Sequence, residues 1–277
     1  MPTVRSSLIL GAALLAAANL PLQAQAASRC TSTATSISCS AQTAWIDSGS
    51  AGQRKVVFQV PTGSAPSAGW PVALLFHGSL VRVSGFTYAS DAPFGGYHQG
   101  ELVRALLDSG YAVIAPNALT AAEAWQTNDP QYAEDYAASN DQLFFNNLFK
   151  AMGTGRFGKL DPARWYATGI SSGGYNTSRM ALSFPGRLKA LAIQSASWAT
   201  CVGARCELPQ TLPAAHPPTL FLHGMADRVV PWSSMQPYHD GLLYQGVETA
   251  LHSEADGGHE WFAASPAKIL DWFQRHP

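Results

Sequence analysis

Gly169-Ile170-Ser171-Ser172-Gly173 separates a strand-like run, Trp165 to Thr168, from a helix-like run, Tyr175 to Leu182. A serine between a strand and a helix in a G-x-S-x-G frame sits on a strained turn. The residues two before and two after it must be nearly free of side chain, because the strand and helix backbones pass closely there. Gly169 and Gly173 meet that requirement and make Ser171 the candidate nucleophile. The bare pattern recurs by chance in Gly- and Ser-rich chains, so its weight comes from its surroundings.

On both sides of this turn, apolar runs alternate with helical segments. Arg54 to Val60 reads as an early strand, followed by the turn-rich stretch 61–69. Val72 to Phe76 is a continuous apolar run ending in His77-Gly78, the pattern of a parallel strand buried on both faces. Gln99 to Ser109 reads as a helix closed by Gly110, and Tyr111 to Ala115 as the next buried strand. Asp135 to Met152 is expected to be helical. After the Ser171 turn come strand Leu188 to Gln194, strand Thr219 to Leu222, helix Ser233 to Tyr244, strand Val247 to His252 and a terminal helix, Pro266 to Arg275. Repeated alternation predicts an α/β fold of the α/β-hydrolase type: one domain, a mostly parallel sheet, helices on both faces. Two long connections, Ser79 to His98 and Asn117 to Gln131, leave strand C-terminal ends and carry Phe86, Tyr88, Phe94, Tyr97 and Trp125. They are expected to wall a substrate cleft.

A serine hydroxyl needs a base within hydrogen-bond reach and a third group that fixes the base's tautomer. His223-Gly224-Met225-Ala226-Asp227 places Asp227 in the loop after an apolar strand. Gly257-Gly258-His259 places His259 after the last strand. The resulting order, Ser171, Asp227, His259, is that of the α/β-hydrolases and differs from the chymotrypsin and subtilisin orders. Donors for a developing oxyanion are expected from the amide of Ser172 and from the amide of Gly78 or Ser79, with His77 shaping that loop. The remaining histidines, such as His216 and His276, are read as structural or surface residues. Gly153-Thr154-Gly155-Arg156-Phe157-Gly158 spells a dinucleotide fingerprint but follows a helix, so no nucleotide cofactor is expected. Asn176-Thr177-Ser178 matches a glycosylation sequon but falls in the helix behind the nucleophile.

The chain has 277 residues, 47% of them hydrophobic, enough for one sizeable core. The net charge of -1 offers nothing to nucleic acid or to an anionic membrane. Charged residues make up 13%, about half the roughly 25% of soluble domains, so the surface is expected to be unusually neutral, as suits an enzyme working on an uncharged, water-insoluble substrate or a secreted protein that simply tolerates few charges. Residues 1–26 read as a secretory signal: Arg5, an apolar stretch from Leu8 to Leu20, and Ala24-Gln25-Ala26 as a cleavage site, leaving 27–277 as the catalytic domain. Export fits four cysteines in two close pairs, Cys30 with Cys39 and Cys201 with Cys206, although four cysteines allow three connectivities. Their spacing does not suit zinc, and no metal or organic cofactor is expected.

The segment Gly169-Ile170-Ser171-Ser172-Gly173-Gly174-Tyr175-Asn176-Thr177-Ser178-Arg179-Met180-Ala181 closely resembles the active-site region of extracellular medium-chain-length polyhydroxyalkanoate depolymerases. His77-Gly78, the Asp227 and His259 segments and the total length fit the same family. The resemblance implies hydrolysis of poly(3-hydroxyoctanoate)-type polyesters with Ser171, Asp227 and His259 as the triad. Related short-chain depolymerases add a separate polymer-binding domain. Only 18 residues follow His259, so none is expected at that end, and the catalytic domain is expected to adsorb to the polymer itself. The alternatives are another secreted carboxylesterase, of feruloyl or acetyl-xylan esterase type, and a non-catalytic protein that binds hydrophobic surfaces. No obligate protein partner is expected.

Overall fold

Val72 to Phe76, with no polar side chain to satisfy, is the inner part of a central strand buried on both faces. The computed structural model describes residues 27–119, 124–132, 135–201 and 207–277. The strands are β1 (Cys30–Ser32), β2 (Ser36–Cys39), β3 (Gln42–Asp47), β4 (Gln53–Gln59), β5 (Trp70–Phe76), β6 (Phe86–Ala89), β7 (Ala112–Pro116), β8 (Leu160–Ile170), β9 (Ala190–Gln194), β10 (Thr219–Gly224) and β11 (Thr249–Glu254). The α-helices are α1 (Gly96–Asp108), α2 (Asn140–Gly153), α3 (Ser172–Ser183), α4 (Trp232–Tyr244) and α5 (Ser265–Arg275).

Eight strands form one sheet in the order β11-β10-β9-β8-β5-β7-β4-β3. β3 and β4 pair antiparallel, as do β4 and β7, and every other pairing is parallel. Side chains of β5 alternate between the two faces. Val72, Leu74 and Phe76 join Phe144, Phe145 and Phe149 of α2 and Met180 of α3. Ala73 and Leu75 join Leu102 and Val103 of α1 and Ile269, Trp272 and Phe273 of α5. Each fully buried Leu or Phe contributes about 1.5–3 kcal/mol, so the two-sided burial of β5 anchors the fold. Met235, Tyr238 and Leu242 of α4 cover Ile193 and Phe221 in a third cluster.

β5 lies between β7, the next sheet strand in sequence, and β8, reached by crossing back over it. A crevice opens beyond the strand C-termini at such a reversal. Phe76 is in register with Gly169, so His77-Gly78 and Ile170-Ser171 leave the sheet side by side.

Several segments differ from the sequence reading: β1, β2 and β3 precede the first expected strand, β8 begins at Leu160 rather than Trp165, and β11 spans Thr249–Glu254 rather than Val247 to His252. The connection from Ser79 to His98 contains β6, which joins β1 and β2 in a small antiparallel sheet. These strands are short and rich in Ser and Thr, and a Cys30–Cys39 disulfide ties β1 to β2. α1 begins at Gly96 rather than Gln99. α2 begins at Asn140 rather than Asp135, because the Ser139 hydroxyl accepts the Gln142 N–H and caps the helix there. Gly153 to Gly158 lies between α2 and β8, the reverse of the strand-to-helix order a dinucleotide site needs. Cys201 is buried and disulfide-bonded, while its expected partner Cys206 and the expected signal, 1–26, lie outside the described residues.

Candidate active site

Ser171 occupies the turn between β8 and α3 with φ 55° and ψ −125°, a conformation that side chains rarely adopt. A Cβ on Gly169 would stand 2.5 Å from the Gly173 carbonyl oxygen, and one on Gly173 would collide with the Phe76 carbonyl. The two glycines are therefore required by contact. The Ser171 N–H donates to the Gln194 carbonyl at 3.1 Å, and its carbonyl accepts the Tyr175 N–H at 2.9 Å, which fixes the strained turn at both ends. Among the described residues none hydrogen-bonds the Ser171 hydroxyl.

Asp227 follows β10 and is almost wholly buried. Its Oδ1 accepts the amides of Val229 and Val230 at 2.8 and 2.9 Å, and its Oδ2 accepts from Nδ1 of His259 at 2.8 Å. Burial pushes this carboxyl up. The His259 hydrogen bond and the Val230 and Val229 amides outweigh burial and hold it below the usual carboxylate range. A carboxylate only accepts, so Nδ1 of His259 carries a proton and Nε2 keeps the basic lone pair. His223 donates from Nε2 to the Val230 carbonyl at 2.9 Å and braces the same loop; burial lowers its pKa and keeps it neutral.

The His259 loop is tied to Ser171 by a residue that the sequence places simply in a strand. Gln194 ends the apolar β9. Its carbonyl holds the Ser171 amide, its Nε2 donates to the Glu260 carbonyl at 2.7 Å, and its Oε1 accepts the Ser265 hydroxyl at 2.7 Å. A polar side chain closing a buried strand was the available signal.

His77 is equally fixed. The Ala118 N–H can only donate, so Nε2 of His77, 2.9 Å away, is the acceptor and Nδ1 donates to the Gly78 carbonyl at 2.7 Å. In a trans peptide the C=O and N–H point oppositely, so the Ser79 N–H points away from the His77 ring. A Cβ on Gly78 would lie 3.5 Å from Cβ of Ser171, which places this peptide against Ser171. Ser172 is the first residue of α3, where the amide has no intrahelical acceptor. Trp125 joins the two sides: its indole donates to the His77 carbonyl and its N–H to Oγ of Ser172, both at 3.0 Å. Gln126 exchanges hydrogen bonds with Asp141, and Asp141 pairs with Arg54 at 2.6 Å in the interior.

Ser171, His259, Gly78 and Ser79 line one cavity of about 310 Å³, with Asp227 behind His259. Thr87 and Tyr88 of β6 form part of its wall, as do Leu80, Val81, Phe94 and Val229. The loop aromatics divide. Phe94 and Tyr88 line the cavity, Trp125 supports the Ser172 turn, and Phe86 packs in the core. Cys30 and Cys39 lie in the small sheet and take no part in the site.

An elbow serine with a histidine–aspartate pair arriving from two further strand ends, in the chain order Ser, Asp, His, is the architecture of the α/β serine hydrolases. Solved structures carry the same fold. An acylaminoacyl peptidase of Pyrococcus horikoshii matches with TM-score 0.62 and 16% identity over 86% of this chain, which spans 42% of that longer protein. A lidless α/β serine hydrolase of Xanthomonas campestris matches with TM-score 0.53 and 16% identity, over 85% of this chain and 93% of the other. No protein-family model matches. The chain belongs to the poly(3-hydroxyoctanoate) depolymerase family: it is 56% identical to the poly(3-hydroxyoctanoate) depolymerase of Pseudomonas fluorescens over 270 residues, 95% of this chain and 97% of that one.

Proposed function

We propose that this chain is a secreted serine esterase that hydrolyses medium-chain-length polyhydroxyalkanoates such as poly(3-hydroxyoctanoate) to soluble oligomers or hydroxy acids. The observation that carries this reading is the 56% identity to a depolymerase of that polymer over 95% of this chain. Oγ of Ser171 attacks the ester carbonyl while Nε2 of His259 takes its proton. Asp227 holds the imidazole tautomer and stabilises the imidazolium. The tetrahedral oxyanion is met by the Ser172 amide, at the positive end of α3, and by the amide of Ser79 or Gly78. His259 returns the proton to the departing hydroxyl of the next repeat unit as the C–O bond breaks. Water, deprotonated by the same histidine, then cleaves the acyl-enzyme and restores the Ser171 hydroxyl. The Cys30–Cys39 disulfide and the expected signal at 1–26 support export, with 27–277 as the working domain. Among the described residues no helix is long and apolar enough to cross a membrane.

Purified mature protein should clear a suspension of medium-chain polyester, and the Ser171→Ala variant should not. Release of ferulate from plant wall without clearing of polyester would assign the chain to the other esterase class. Failure of a fluorophosphonate to label folded protein at Ser171 would favour a binding module.

A further inference from the structure

Four non-glycine residues among those described have positive φ: Leu80 (65°), Phe94 (56°), Ser171 (55°) and Ser195 (48°). Ser171 is explained by its elbow. Leu80 and Phe94 are bulky apolar residues, for which left-handed backbone is an outlier that costs stability. Burial does not compensate, since Leu80 is 79% exposed and Phe94 50% exposed. Both line the cavity that holds Ser171 and His259. Strained positions persist where the surrounding structure enforces them, and they cluster at ligand clamps. Phe94 is enforced: its carbonyl accepts the Trp261 N–H at 2.9 Å, and Gly95 after it packs so closely that a Cβ would collide with the Trp261 carbonyl. Its ring stands edge to face with His259 at 6.1 Å. Leu80 directly follows Ser79, on the side of the nucleophile where Gly78 meets Ser171.

We propose that Leu80 and Phe94 form an apolar lip, one side chain on the oxyanion side of Ser171 and the other on the His259 side, that takes the pendant alkyl chains of the polyester. The lip rests on the polyesterase reading and adds to it the residues that select alkyl length. A carbonyl seated at Ser171 brings its alkyl substituent against these two side chains. Seating it there removes apolar surface that the free enzyme leaves in water on both partners.

Glycine suits both backbones and removes only the side chain, so Leu80→Gly and Phe94→Gly test the lip, with Leu80→Asn and Phe94→Asn as second variants that also tolerate this conformation. Tyr244→Ser, an exposed aromatic outside the cavity, is the control. The readout is the ratio of kcat/KM for p-nitrophenyl octanoate to that for p-nitrophenyl acetate. Each lip variant should lower the ratio about tenfold, a typical effect of lost apolar contact in a pocket. Leu80→Gly should do so without lowering the melting midpoint, and Tyr244→Ser should leave the ratio unchanged. A ratio within twofold of the parent in both Leu80 and Phe94 variants would overturn the proposal, as would parallel loss on both esters. Collapse of the ratio in an enzyme that clears no polyester would support the lip while removing the polyester reading.

Discussion

Gln194→Leu removes the side-chain hydrogen bonds of Gln194 to the Glu260 carbonyl, the Ser265 hydroxyl and the Ser195 hydroxyl while keeping its volume. The Glu260 carbonyl is left with the Ser195 hydroxyl at 3.4 Å, and the Ser265 hydroxyl loses its acceptor while still receiving the Phe262 N–H. Each buried polar group left short costs about 1–3 kcal/mol, so the change should destabilise by about 3 kcal/mol. In a domain of this size that lowers the melting midpoint by roughly 6–12 °C. The consequence for rate is separate. Glu260 follows His259 directly, so releasing its carbonyl lets the imidazole move relative to Ser171, and a displacement on the order of 1 Å costs about 100-fold. Gln194 does not line the cavity, so KM should stay near the parent value while kcat falls. Steady-state hydrolysis of p-nitrophenyl octanoate well below the midpoint measures this. A folded variant with the lowered midpoint but kcat within about threefold of the parent would refute Gln194 as the residue that spaces His259 from Ser171.

Trp125→Phe keeps the ring packing on Phe145 but loses the indole donor to the His77 carbonyl, so kcat should fall about tenfold with little change in KM; steady-state kinetics check this split. Burial lowers the pKa of His216 to about 4 against the backbone hydrogen bond at Pro217. Above pH 6.5 the residue contributes no pH dependence. As pH falls from 6.5 to 4 the unfolded chain takes up a proton that the fold refuses, and stability declines by about 3 kcal/mol. Urea unfolding at pH 7 and pH 4 should show that loss in the parent and a smaller one in His216→Gln. Replacing Cys30 and Cys39 by serine opens a loop of about ten residues and should cost about 3 kcal/mol, read as a lower denaturant midpoint.

The central sheet was legible because its strands are largely apolar runs separated by helical segments, and β5 and β7 need no polar partner to be placed. The positions of Ser171, Asp227 and His259 at strand C-termini follow from the same alternation, and the structure sets Asp227 against His259 and His259 with Ser171 on one cavity. Much of what escaped is held by long-range bonds. Nothing in Ser36 to Cys39 announces a strand, and it forms because β1 and β6 flank it and a disulfide ties it. Gln194 meets partners 66 and 71 residues away, which no local pattern reveals. The conformations of Leu80 and Phe94 contradict local preference and become visible only in three dimensions.

Acyl transfer through Ser171 is tested most directly by acid-quenching a mixture of enzyme and poly(3-hydroxyoctanoate) suspension within a turnover and mapping the modified peptide by mass spectrometry. A 3-hydroxyoctanoyl group or its oligomer on Ser171, absent from Ser171→Ala, is the expected result. Clearing of the polymer with the acyl group on another residue, or undiminished clearing by Ser171→Ala, would contradict it.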